Sequence, residues 1–200
     1  MAFTQYKSLS DVLKKYRIRY EEAAFVIDTN YEPPQDIIDD LGFTFENIAY
    51  QVSEASICEN LIYPVLKTVY KKYADNFALW SHQPLELNDE LHGIPDYMIS
   101  RRSELGKIVF EQPFVAVIEA KKDDFTGGWA QCCIEMFTIQ QINQNAEQII
   151  FGIVSNGETW ELGQLQNEVF TMFRQRFDIG NLRTLYNVIA SIFEKSKYIK

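Results

Sequence analysis

Residues 114–122 read Phe-Val-Ala-Val-Ile-Glu-Ala-Lys-Lys, and this stretch decides the fold. Five apolar residues in a row, three of them Val or Ile, have the length and branching of a strand buried on both faces. The run then changes to Glu119-Ala120-Lys121-Lys122. A carboxylate or ammonium at the end of a core strand is costly unless it is paired or metal-bound. Side chains alternate along a strand, so Glu119 and Lys121 share a face and Ala120 takes the other. An acid and a lysine thus project together from the edge of the core.

Working backward, Gly93-Ile94-Pro95-Asp96-Tyr97 opens another strand, expected over 95–100, with proline at the entry where no ladder donor is needed. If that strand pairs with 114–120 through the polar turn at 101–106, Asp96 comes near Glu119. Two carboxylates repel, so such a site calls for a cation. Hard oxygen ligands without nearby histidine or cysteine suit Mg²⁺ or Mn²⁺. That ion can polarise a scissile phosphate and activate water, while a neighbouring lysine offsets developing charge.

Further back, Leu61, Val65, Val69 and Tyr73 form a helical stripe within a long helix expected over 53–73, with Ser53 or Ser56 as its cap. Pro64 lies inside and predicts a kink. Strands are also expected at 77–82, 84–87 and 23–28, and a helical turn over 36–41 ended by Gly42. A first helix follows Ser8, with Leu9, Val12, Leu13 and Tyr16 on one face.

Working forward, Gly127-Gly128 reads as a loop and 129–141 as a helix. Gln148 to Val154 reads as a second buried strand. Asn156-Gly157 then signals a hairpin into 159–162. A strand at 169–173 and a C-terminal helix within 179–197 complete the chain. The expected fold is one α/β domain over residues 1–200, a central mixed four- to five-stranded sheet flanked by helices in an α-β-β-β-α-β core.

Composition sets bounds. The chain has 200 residues, 46% apolar and 24% charged, as a globular domain should. No apolar run approaches the ~20 residues of a membrane span, and residues 1–10 lack a secretion signal's pattern. The expectation is a cytoplasmic protein with no membrane partner. Three cysteines, Cys58, Cys132 and Cys133, form no CxxC pair and read as buried, reduced thiols. The absence of a P-loop or GxGxxG sequence disfavours a nucleotide-binding enzyme.

The net charge of −9 weighs against nucleic-acid binding. The distribution is uneven: ten acids and no basic residue lie between Arg19 and Lys67. Basic residues then gather at Lys67, Lys71 and Lys72, at Arg101 and Arg102, at Lys121 and Lys122, and at Arg174 and Arg176.

Pro95-Asp96 and Glu119-Ala120-Lys121, on consecutive expected strands after a long helix, resemble the PD-(D/E)XK nuclease superfamily. Ser53-Glu54-Ala55 with Leu61 to Leu66 is similar to the first helix of the nuclease domain of type I restriction subunits, which often supplies a glutamate. Trp129-Ala130-Gln131 resembles the helix after the Glu-x-Lys strand, where a glutamine often nears the metal. Gly152 to Gly157 with Trp160 looks like the same enzymes' Asn-Gly hairpin. The resemblance covers residues 53–165 and leaves 1–50 as an N-terminal extension.

The resemblance implies a restriction-endonuclease-like fold and a Mg²⁺- or Mn²⁺-dependent endonuclease acting on DNA. Asp96, Glu119 and the carbonyl of Ala120 would hold the metal, Lys121 would position water, and Glu54 and Gln131 would support them. Glu59 competes with Glu54 for the helix carboxylate. Arg101, Arg102 and Lys122 are candidates for phosphate contact, and a homodimer or a partner protein is open. The other reading is a non-catalytic nucleic-acid-associated or protein-interaction domain on the same fold. His82 and His92 lack metal-ligand spacing and read as structural or exposed, and Trp80, Trp129 and Trp160 as core.

Overall fold

Seven strands form one mixed sheet in a computed structural model that describes residues 2–197. In chain order the elements are α1 (Leu9–Tyr16), β1 (Arg19–Ala23), α2 (Gln35–Asn47), α3 (Glu54–Ile57), α4 (Tyr63–Tyr70), β2 (Phe77–Ser81), β3 (Leu85–Glu86), β4 (His92–Gly93), β5 (Tyr97–Arg101), β6 (Phe114–Ala120), α5 (Phe125–Asn143), β7 (Ile150–Ser155), β8 (Thr159–Gln166), β9 (Val169–Asp178) and α6 (Leu182–Ser196). The sheet order is β1-β9-β8-β7-β6-β5-β2. β6/β7 and β1/β9 are parallel, and the remaining pairs are antiparallel. The expected count of four to five strands was too low, because β1 and the full length of β9 extend the far edge.

β6 is buried at every position, as its apolar run requires, and lies between β5 and β7. One face of the sheet packs against α2, α3, α4 and α6 through Ile57, Leu61, Val65, Ile118, Ile153 and Ile189. The other packs against α1 and α5 through Val12, Val117, Trp129, Ile134, Val154 and Phe170. Each fully buried side chain of this size contributes roughly 1.5–3 kcal/mol. The three cysteines are free and buried.

The helix that opens at Ser53 differs from a kinked α-helix. Ser53 Oγ accepts the Ser56 N–H at 3.1 Å and starts α3. Residues 58–62 then wind as a π-helical turn, with the Tyr63 N–H bonded to the Cys58 carbonyl, and α4 resumes at Tyr63. Proline lacks an N–H and its ring crowds the carbonyl four residues back. The wider turn just before Pro64 supplies that room.

Other boundaries shift. Gly127 and Gly128 lie in the first turn of α5, capped where Asp124 Oδ1 accepts the Gly127 N–H at 2.8 Å. Gly42 sits inside α2, which runs on to Asn47. β1 falls at Arg19–Ala23 rather than 23–28. The second strand expected at 84–87 is the two-residue β3, which pairs with β4 in a separate small ladder. Residues 25–31 cross α6 as a strap: Asn187 Oδ1 accepts the Tyr31 N–H at 2.6 Å, and its Nδ2 donates to the Tyr31 carbonyl at 2.8 Å. No described helix is long and apolar enough to cross a membrane.

Candidate metal centre

The end of β6 meets the entry to β5. The antiparallel register sets Tyr97 opposite Ile118, which brings Asp96 beside Glu119 and Ala120. Asp96 Oδ2 accepts the Ala120 N–H at 2.8 Å, and the Asp96 N–H points at Glu119 Oε1 at 3.4 Å. Lys121 Nζ lies 3.3 Å from Glu119 Oε2. Ala120 packs with the α3/α4 face, while Glu119 turns toward α5. Asp96, Glu119 and Lys121 therefore converge at one point on the sheet's end.

The electrostatics are uncomfortable without a cation. Glu119 is 1% exposed, and burial, then the Asp96 charge, push its carboxyl up to about 7. Burial also raises Asp96. For Lys121 burial acts downward, but Glu119, Glu54 and Asp96 together outweigh it and hold the ammonium above its ordinary value.

A third carboxyl lies behind. Glu135, from the middle of α5, is fully buried and close enough to Glu119 for the two carboxyls to act on each other electrostatically. Burial, then the neighbouring Glu119 charge, raises its carboxyl well above the carboxylate range. Gln131 Nε2 donates to Glu135 Oε1 at 3.1 Å, while the buried Oε2 has no hydrogen-bond partner among the described residues. Gln131 thus acts on Glu119 through Glu135. Sequence reading missed Glu135 because α5 is buried around most of its circumference and shows no polar stripe. The available signal was its spacing, four residues after Gln131 and hence on the same face.

Glu54, at the start of α3, is exposed, and its Oε1 lies 3.4 Å from the Lys122 N–H, at the mouth of the site. Its charge acts on both Asp96 and Lys121. Glu59 lies one turn further on and lines a neighbouring pocket. His82 also joins the site: its Nε2 is 3.5 Å from Asp96 Oδ1. Its spacing in sequence hides this, since the approach depends on the β2/β5 register that puts Ser81 opposite Tyr97.

Two phosphate-contact candidates are engaged elsewhere. Arg101 Nη2 donates to the carbonyls of Ser196 and Lys197, and Arg102 Nη1 to the Ala74 carbonyl at 2.6 Å. Both tie chain segments together at the opposite end of β5. Lys122 is exposed beside Gln51, Asn156 and Glu158. The three indole N–H groups are bonded internally, to Ser100, Glu161 and the Gly157 carbonyl.

Among the described residues no three His, Cys, Asp or Glu side chains form a ready-made metal cage. Two carboxylates and a neighbouring carbonyl nonetheless fit Mg²⁺ or Mn²⁺, which commonly take one or two carboxylates and complete their shell with water and substrate oxygens. Soft or borderline ions have no thiolate here, since Cys58 is held up to about 12 by burial. No protein-family model matches the chain, and no curated protein matches it.

Proposed function

We propose that the chain is a metal-dependent nuclease of restriction-endonuclease-like fold, cutting phosphodiester bonds of DNA. The observation that carries this reading is the convergence of Asp96, Glu119 and Lys121 on one sheet end, two adjacent carboxyls of which one is fully buried. The chain order α4-β2-β3-β4-β5-β6-α5-β7 supports the reading to this extent: with β3 and β4 set apart in their own small ladder, the elements of the main sheet run α-β-β-β-α-β.

Asp96, Glu119 and the Ala120 carbonyl would hold Mg²⁺ or Mn²⁺. When bound, the ion supplies Lewis-acid polarisation of a phosphoryl oxygen and eases deprotonation of water. Lys121 places a fixed positive charge beside the scissile phosphate and hydrogen-bonds the attacking water. Glu54, at the mouth, accepts from that water. Glu135 and Gln131 fix the rotamer of Glu119 from behind, as outer partners do for metal ligands.

The test is cleavage of single- and double-stranded DNA and RNA with Mg²⁺ or Mn²⁺ by the wild type, Asp96→Asn and Lys121→Ala. Metal-dependent cutting by the wild type that both variants lose is the expected result. No cutting on any substrate, with no metal binding by calorimetry, would overturn the proposal. One observation favours a second reading, a non-catalytic module that works with a partner: the net charge of −9. Metal binding without cutting would select it.

A further inference from the structure

A pocket of about 520 Å³ opens beside Asp96, lined by Ala55, Cys58, Glu59, Tyr63, Ser81, His82 and Tyr97. Its size falls within the roughly 300–1,000 Å³ of small-ligand sites. Its walls are aromatic. The Tyr63 and Tyr97 rings are nearly parallel, 16° apart with centroids at 6.1 Å, and His82 meets Tyr97 edge-on at 5.9 Å. Tyr97 is buried and fixed, whereas Tyr63 and His82 are exposed.

His82 holds a left-handed backbone, φ 51°, a conformation few non-glycine residues adopt but histidine adopts more readily than most. Its N–H donates to the Asp96 carbonyl at 3.0 Å, and its Nδ1 bonds Ser81 Oγ at 2.8 Å. Those bonds pin the imidazole between the pocket and the Asp96 carboxylate, 3.5 Å away. One side chain therefore joins the aromatic pocket to the candidate metal centre.

The rim is polar in a way that suits a base edge. Glu59 offers carboxylate acceptors and Ser81 a hydroxyl. Outward along α4 the charge changes sign. Tyr63, Lys67 and Lys71 are spaced four residues apart and share a face, with Lys67 Nζ 5.5 Å from the Tyr63 ring centre. An aromatic platform followed by a short cationic ridge is the arrangement that binds a single strand, where bases stack and phosphates track along lysines. A paired base cannot present its face to such a wall.

We infer that this pocket takes an unpaired nucleobase next to the scissile phosphate, which makes single-stranded DNA the substrate. The inference rests on reading the neighbouring site as one that cleaves nucleic acid. Tyr63 is the stacking residue, Lys67 and Lys71 contact the backbone phosphates, and Glu59 and Ser81 meet the base edge.

The test separates stacking from cutting. Oligonucleotides carrying 2-aminopurine at successive positions, single-stranded or annealed, are titrated with the protein in Ca²⁺, which the same oxygen ligands accept. A gel confirms that the strand stays intact, and cleavage in Mg²⁺ or Mn²⁺ is scored separately. The expected result is a saturable fluorescence change at one position of the single strand. Tyr63→Ala loses that change and binds roughly 5- to 150-fold more weakly, the worth of one base on one ring. Tyr63→Trp retains both, and circular dichroism checks that each variant is folded. A Tyr63-dependent change without cleavage by the wild type upholds the pocket and sinks the nuclease. Cleavage with no Tyr63-dependent change keeps the nuclease and overturns the pocket, as does equal binding of duplex and single strand. No binding of any oligonucleotide overturns it too.

Discussion

The Asp96 carboxylate accepts the backbone N–H of Ala120 at 2.8 Å, so one side chain both joins β5's entry to the end of β6 and faces the candidate metal position. The two roles separate by substitution. Asp96→Asn keeps an oxygen acceptor for the Ala120 N–H but loses the charge. Asp96→Ala leaves that N–H without its partner, at a cost of about 1–3 kcal/mol. Urea unfolding should place Asn at or above the wild type and Ala below it, with cleavage lost in both.

Lys121→Ala removes the only ammonium hydrogen-bonded to Glu119 among the described residues. Loss of one such preorganised charge lowers turnover by roughly 10²–10³-fold. Single-turnover cleavage at saturating Mg²⁺ measures it. A change confined to the metal concentration required would assign Lys121 to metal affinity instead.

Glu119 makes stability depend on pH with a definite sign. Its folded value of about 7 lies above the ordinary 4.5, so the folded state binds its proton more tightly. The stabilisation is complete below about 4.5 and is lost as pH rises through about 7. Glu135, also raised by burial, contributes with the same sign. In chelator, the melting temperature of the wild type relative to Glu119→Gln should fall between pH 5 and pH 8. Mg²⁺ should restore it most at the alkaline end, because binding requires the ionised carboxylate. A difference independent of pH would mean that the pair is well solvated.

Gly157→Ala should destabilise the chain and disturb the mouth of the candidate site. Gly157 has φ 86°, and an added Cβ would stand 2.7 Å from Leu61 Cδ1 and 3.0 Å from Ile57 Cγ2. Overpacking of this kind costs about 1–3 kcal/mol. Because the clash pushes on α3 and the π-helical turn, Glu54 should move as well. The denaturation midpoint reports the first effect, and the metal affinity of the folded variant the second.

Asn187→Ala should release the strap over α6. The amide bonds Tyr31 twice and also the Arg183 carbonyl and the Thr29 hydroxyl. Removing it leaves the Tyr31 N–H and carbonyl without those partners, a loss of about 1–3 kcal/mol. Hydrogen exchange should accelerate at residues 25–31 while cleavage stays at the wild-type rate. Unchanged protection there would show that the strap holds through its other ties, Phe25 to Gln175 and Asp28 to Ser191 among them.

The central strands were legible because their signal is local. Phe114 to Ile118 is apolar on both faces, and Asn156-Gly157 marks the β7/β8 hairpin by local turn chemistry: Asn156 Oδ1 accepts the Thr159 N–H at 2.7 Å. Asp96, Glu119 and Lys121 were legible because charge at the end of such a strand is anomalous. β1 was misplaced because Arg-Tyr-Glu-Glu-Ala shows almost no alternation, being an exposed edge strand whose charges suit that position. Glu135 and His82 were missed for other reasons. The buried helix gives its carboxyl no period to stand out from, and strand register, not sequence spacing, delivers the imidazole.

The same edge strand governs when the fold can finish. β1 pairs with β9 in parallel, Arg19 against Val169, so the last ladder of the sheet joins segments 150 residues apart. Closing so long a loop is entropically expensive before any contact rewards it, and contacts of such sequence separation form late. During synthesis, Glu54, Asp96, Glu119 and Glu135 have all been made before β9 exists. The centre of the sheet can assemble around its own charges while the N-terminal segment waits in solution for a partner still to be translated.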